Sequence, residues 1–150
     1  MAVTTFFWFE SEAEQAAARY VELVPRSRVT DITRNPDGSA FVVSLELDGQ
    51  SVTFMNGGPG HPQTDAASIQ VTVDTQDEVD RLWDALVEGG APGECGWLVD
   101  RYGMHWQVVP TPLLDLMSGT DPAKTAAVGT ALRTMSKLDL KVLRDAYDNA

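Results

Sequence analysis

The feature that most constrains this chain is an internal repetition. Thr4 to Phe9 is β-branched and aromatic and reads as a strand. Ser11 and Glu14 then stand three apart, the spacing of a capping box. An alanine-rich helix is expected from there to about Leu23, with Pro25 closing it. Sixty-four positions further on the pattern returns. Ser68 to Val73 reads as a strand, Thr75 and Glu78 form a second capping box, and a helix follows to about Glu88. Phe7 and Phe9 fall on Val71 and Val73, and Thr4 on Ser68. The closing strands match at a shift of 54: Gly49 on Gly103, Val52 on Trp106, Thr53 on Gln107. Two strand–helix–strands units of one layout are therefore expected.

The first unit has more strand between its helix and its end. Val29–Thr33 and Phe41–Leu47 read as strands around the turn Asn35-Pro36-Asp37-Gly38. Asp48-Gly49 is a hairpin turn leading into Gln50–Asn56. The second unit is shortened here. Gly89 to Gly93 reads as loop, followed by one hairpin, Trp97–Val99 and His105–Val109 around Asp100 to Gly103. Gly57 to Ala67, with three Gly and two Pro, reads as a connecting loop. In the tail, Asp121 caps a helix with Pro122 at its first position, and Asp139 caps another ending near Tyr147.

Alternation along the strands assigns their faces. Thr5, Phe7 and Phe9, with Ile69, Val71 and Val73, are expected under the helices, joined by Val52, Phe54, Trp106 and Val108. Trp83 reads as core by helical spacing. The opposite face carries Thr4, Phe6, Trp8, Ser51, Thr53 and Met55 in the first unit. In the second it carries Ser68, Gln70, Thr72, His105, Gln107 and Val109. Aromatic walls with a few amides suit a small-molecule cleft.

Charge and cysteine content narrow the partners. Eleven Lys and Arg against 22 Asp and Glu give a net charge of −11, which speaks against nucleic acid and against an anionic membrane surface. The one cysteine, Cys95, leaves no intramolecular disulfide. No apolar run approaches membrane-spanning length, and the start lacks the pattern of a signal peptide, so a cytoplasmic protein is expected.

The run Cys95-Gly96-Trp97-Leu98-Val99-Asp100-Arg101-Tyr102-Gly103-Met104-His105-Trp106-Gln107-Val108-Val109-Pro110 is distinctive. With Phe6-Phe7-Trp8-Phe9, Leu47-Asp48-Gly49-Gln50 and Met55-Asn56-Gly57-Gly58-Pro59, it resembles the PhnB-like branch of the vicinal oxygen chelate (glyoxalase/bleomycin-resistance) superfamily. That branch often carries the label 3-demethylubiquinone-9 3-methyltransferase domain. The resemblance extends over nearly the whole chain, including the tail from Asp121 to Leu140. It implies an α+β fold of two βαβββ modules, about 1–60 and 61–110, forming a curved mixed sheet around a cleft. Residues 111–150 would be a helical extension of the same domain. It also implies a homodimer. The superfamily includes metal-dependent lyases and dioxygenases, antibiotic-resistance enzymes and metal-free binding proteins.

Its metal enzymes place one His, Glu or Gln on the first and last strand of each module. The repeat puts those positions at or near Thr4, Thr53, Ser68 and Gln107. Of these only Gln107 is a plausible ligand, and a divalent cation needs several carboxylate or imidazole donors to offset its dehydration. No metal and no other cofactor is expected.

The ligand-binding candidates are accordingly Phe6, Trp8, Thr53, Met55, Gln70, Trp97, His105 and Gln107. His105 and Gln107 are the candidates for catalysis, His105 as a general base. Asn56 is weighed between a ligand and the turn after it. His61 reads as a solvated loop residue, and Cys95 as a small buried one rather than a nucleophile. The expected function is metal-free binding of a small organic ligand. The alternatives are a lyase, isomerase or transferase of the superfamily, or an interaction protein whose tail helices complete a dimer. The sequence does not support the methyltransferase of the label, because no Gly-rich loop opens a helix after a strand.

Overall fold

The computed structural model describes all 150 residues, Met1–Ala150, and divides them into two compact units, Met1–Gln63 and Thr64–Ala150. In the first unit β1 (Thr5–Phe9) leads into α1 (Ala13–Leu23), then β2 (Arg28–Arg34), β3 (Ala40–Leu47) and β4 (Gln50–Asn56). In the second, β5 (Ile69–Val73) leads into α2 (Gln76–Val87), then β6 (Ala91–Pro92), β7 (Trp97–Val99) and β8 (His105–Pro110). Three tail helices follow: α3 (Thr111–Met117), α4 (Pro122–Leu132) and α5 (Leu140–Asp148). No helix is long and apolar enough to cross a membrane.

Hydrogen bonding makes two four-stranded mixed sheets of the same topology, β1-β4-β3-β2 and β5-β8-β7-β6. In each, the first strand runs parallel to the last, and the other pairs are antiparallel. The registers obey the sequence repeat residue by residue. Thr5 pairs with Val52, and their counterparts Ile69 and Trp106 pair in the same way. The chain is thus α+β, built from two βαβββ modules.

In the first unit α1 presents Ala13, Ala16, Ala17 and Tyr20, one face at i, i+3, i+4 and i+7, all with no exposure. Small side chains let the helix lie close on Val43, Leu45, Val52 and Phe54, which are also buried. Phe54 is the hub, its ring centroid 4.8 Å from Phe9, 5.7 Å from Tyr20 and 6.0 Å from Phe7. The Asp48-Gly49 turn joins β3 to β4 with both residues at positive φ, 47° and 84°, the requirement of a two-residue hairpin turn.

In the second unit α2 buries Val79, Leu82, Trp83 and Leu86, and Leu98, Trp106 and Val108 are buried in the sheet. Thr75 and Glu78 form the expected capping box, each side chain bonded to the other's backbone. The strand β5 is at the sheet edge, so Ile69, Val71 and Val73 are only half-buried. The tail builds its own cluster from Leu113, Val128, Leu138 and Leu143, and Val109 of β8 joins it. Val109 was expected on the ligand face; the tail helices seal it instead.

Three further expectations need correction. Ser11 does not cap α1: the N-cap position is Glu12, and no side chain of its own caps the helix. The Asn56 Oδ1 accepts the Ala13 N–H at 2.8 Å, because the register places Asn56 beside Phe9 at the end of β1. Ala91-Pro92, expected as loop, pairs with Val99 and Leu98 as the second module's counterpart of β2. Thr5, expected beneath the helix, is exposed at the start of β1.

Candidate ligand pocket

Each sheet has a face turned away from its helix, and the ladder fixes which residues share it. In the first unit Phe6 stands beside Thr53, and Trp8 beside Met55. Ser44 pairs with Thr53 and Val42 with Met55, extending the same face. Phe6 is 56 % exposed, while Trp8, Thr53 and Met55 are half-buried. Trp8 is held by its surroundings. Its indole N–H donates to the Gly58 carbonyl at 2.8 Å, and its own carbonyl accepts the Gln63 amide at 2.6 Å. The His61 ring stands 4.3 Å from it between centroids, tilted by 48°, while His61 itself stays an exposed loop residue, as expected.

In the second unit Gln70, Gln107 and Trp97 form one row across β5, β8 and β7, and His105 pairs with Val99 one step along. A pocket of about 570 Å³ lies along this part of the unit. Trp97, Val99 and His105 line it together with Pro92 from β6, and with Cys95 and Glu94 from the loop before β7. Asp65 adds a second carboxylate, and no Lys or Arg contributes. Of the eight binding candidates, then, Trp97 and His105 come together in this pocket. Gln70 is exposed and Gln107 half-buried in the neighbouring row. Phe6, Trp8, Thr53 and Met55 belong to the first unit's face. Pro92 was missed because it comes from the Gly-rich stretch read as loop, and Cys95 because it was read as a small buried residue, whereas it is half-buried at the pocket.

The pocket brings Cys95 and His105 into one cavity. Val99 pairs with His105 and Trp97 with Gln107, while Cys95 stands outside that ladder, in the turn before β7.

The positions that hold metal in the superfamily are occupied here by groups that do not fit a divalent cation. The Gln107 Nε2 donates to the Ser68 Oγ at 2.7 Å, so two of the four mapped positions satisfy each other. Thr4 and Thr53 add only neutral hydroxyls. Nowhere do three or more His, Cys, Asp or Glu side chains group closely enough to hold a metal ion.

The family model described as 3-demethylubiquinone-9 3-methyltransferase matches residues 1–109. The chain belongs to this family. It is the PhnB-like branch of the vicinal oxygen chelate superfamily. A PhnB protein from Bacillus cereus bearing the same 3-demethylubiquinone-9 3-methyltransferase designation is 29 % identical, with a TM-score of 0.69 over 74 % of this chain and 100 % of that one. The fosfomycin resistance protein FosX from Mesorhizobium loti shares the fold at 15 % identity and TM-score 0.52, over 73 % of this chain and 90 % of its own. A glyoxalase/bleomycin resistance protein from Albidiferax ferrireducens does so at 10 % identity and the same TM-score, over 75 % and 99 %. No curated protein matches the sequence. The family match stops at residue 109, short of the tail, where the resemblance had been expected to continue to Leu140.

Proposed function

We propose that this PhnB-like protein binds a small organic molecule in the pocket of its second unit, without a catalytic metal. The observation that carries the reading is the pocket itself. Its volume of about 570 Å³ lies within the range of small-molecule sites. Trp97 supplies a broad apolar wall, and His105 a donor and acceptor to orient a ligand.

Methyl transfer, the activity the family designation names, has less support. The junctions from strand to helix are Glu10-Ser11-Glu12, Asp74-Thr75 and the direct passage from Pro110 to Thr111. None contains a glycine at which backbone could close on a nucleotide-type methyl donor.

The test is a ligand-observed NMR screen of aromatic and polar fragments against the wild type, Trp97→Ala and His105→Ala. Fragments that bind the wild type and are lost in both variants support the pocket. Fragments retained by both variants place binding elsewhere. Calorimetric heat on titrating S-adenosylmethionine would return the methyltransferase reading to the front.

A further inference from the structure

The pocket wall from Glu94 to Trp97 has an unusual backbone. Cys95 has φ 57° and Gly96 φ 84°, two successive residues in the left-handed region. A non-glycine residue stays there only where its surroundings over-determine it. Those surroundings come from the connection between α4 and α5. The Cys95 N–H donates to the Met135 carbonyl at 2.8 Å, and the Gly96 N–H to the Ser136 carbonyl at 2.8 Å. A Cβ on Gly96 would stand 3.0 Å from the Leu138 side chain, so the two segments also pack without slack.

That connection is fastened in turn to α2. The Gln76 Nε2 donates to the Leu138 carbonyl at 3.0 Å, and its Oε1 accepts the Leu140 N–H at 2.8 Å. Lys137 reaches Asp84 at 3.1 Å and Asp80 at 3.2 Å on the same helix. Met135 to Leu140 lie beyond the residues the family model matches, whereas Gln76, Asp80, Asp84, Cys95 and Gly96 lie within them.

We propose that the C-terminal helical segment is a positioning element for the pocket. Met135 and Ser136 hold the Cys95–Gly96 backbone, Gln76 holds Met135 and Ser136 in place through Leu138 and Leu140, and the shape of the pocket wall depends on this chain of contacts. Its importance for ligand choice rests on the binding function proposed above; the mechanical coupling itself does not.

Cys95 is the one cysteine and lines the pocket, so its labelling by a water-soluble aromatic disulfide reports the state of the wall. Gln76→Ala is expected to raise the labelling rate by roughly fivefold to tenfold, and to speed exchange of the Cys95 and Gly96 amides likewise. Lys137→Ala should raise both about twofold. Val142→Ala, a change on the exposed side of α5, should leave them unchanged. Should Gln76→Ala fail to fold, Lys137→Ala decides: a rise of about twofold supports the proposal, and a wild-type rate overturns it. Wild-type labelling in a folded Gln76→Ala whose Leu143 amide exchanges faster also overturns it, because the tail would have loosened without moving the wall. The measurement needs no ligand, so a failed fragment screen and a failed coupling remain distinct results.

Discussion

The Asp100 carboxylate accepts the Trp106 indole N–H at 2.9 Å, across the turn that joins β7 to β8. Asp100 is only 5 % exposed, and its other oxygen accepts the Tyr102 N–H at 2.8 Å and the Met104 N–H at 3.0 Å. One side chain thus closes the turn and fixes the largest fully buried residue of the second unit. A buried donor left without a partner costs more than the bond it made. Asp100→Ala is expected to lower stability by about 2–4 kcal/mol in urea denaturation. Asp100→Asn should cost less, since its Oδ1 can still accept both backbone N–H groups. Equal losses for the two would show that the carboxylate does not close the turn.

Exposed carboxylates held by hydrogen bonds contribute to the loss of stability in acid. Glu14 is held below its ordinary value first by its hydrogen bond from Arg34, Glu46 by that from Arg28, and Glu78 by that from Thr75. A carboxylate with a depressed folded pKa binds fewer protons folded than unfolded, so its contribution is present above the unfolded value, near 4.5, and disappears as pH falls through the folded value. The urea midpoint should therefore change little from these groups between about pH 7 and 5 and fall below about 4.5. Glu78→Gln keeps a capping box but cannot titrate, and should make that fall shallower. An unchanged slope would remove Glu78 from the acid response.

Gly57 lies directly against the Trp8 ring, and a Cβ there would overlap the six-membered portion of the indole. The Gly57 N–H also donates to the Phe9 carbonyl at 3.0 Å, which ties the loop to β1 and leaves it little room to withdraw. Gly57→Ala is expected to cost about 1–3 kcal/mol and to displace Trp8 from beside His61. The emission difference between Gly57→Ala and the double variant Gly57→Ala/Trp8→Phe isolates the Trp8 signal. Emission matching that of Trp8 in the wild type would mean that the loop moves instead.

The pattern of side chains carried most of the fold because repetition and alternation are local. Phe7, Phe9, Val52, Phe54, Trp106 and Val108 all turn inward as their strand positions demand. What escaped the sequence depends on distant partners. Asn56 displaces Ser11 at the start of α1 only because β4 runs beside β1. Ala91-Pro92 pairs as a strand although its neighbours are glycines, because β7 offers an edge. Val109 leaves the open face because the tail packs over it, from Leu113 close by to Leu138 and Leu143 near the end of the chain. The pocket was half legible for the same reason. His105 was placed on the open face by alternation and Trp97 was singled out as an aromatic able to line a cleft, whereas Cys95 and Pro92 reach the pocket through a bend and an edge pairing that no periodicity marks.

The metal-free reading is tested directly by adding metal. A cation that binds the folded protein alone raises its stability by RT ln(1 + [L]/Kd), about 2.7 kcal/mol at a hundredfold excess over Kd. Ser68 and Gln107 satisfy each other, and Thr4 and Thr53 bring no charge, so little would offset the dehydration of zinc or manganese. Adding either ion at about 1 mM should thus shift the thermal midpoint by less than about 1 °C. A shift of several degrees that disappears in Gln107→Ala would place a metal at the mapped position. The same shift retained in Gln107→Ala but lost in His105→Ala would place it in the pocket, with imidazole as its anchor.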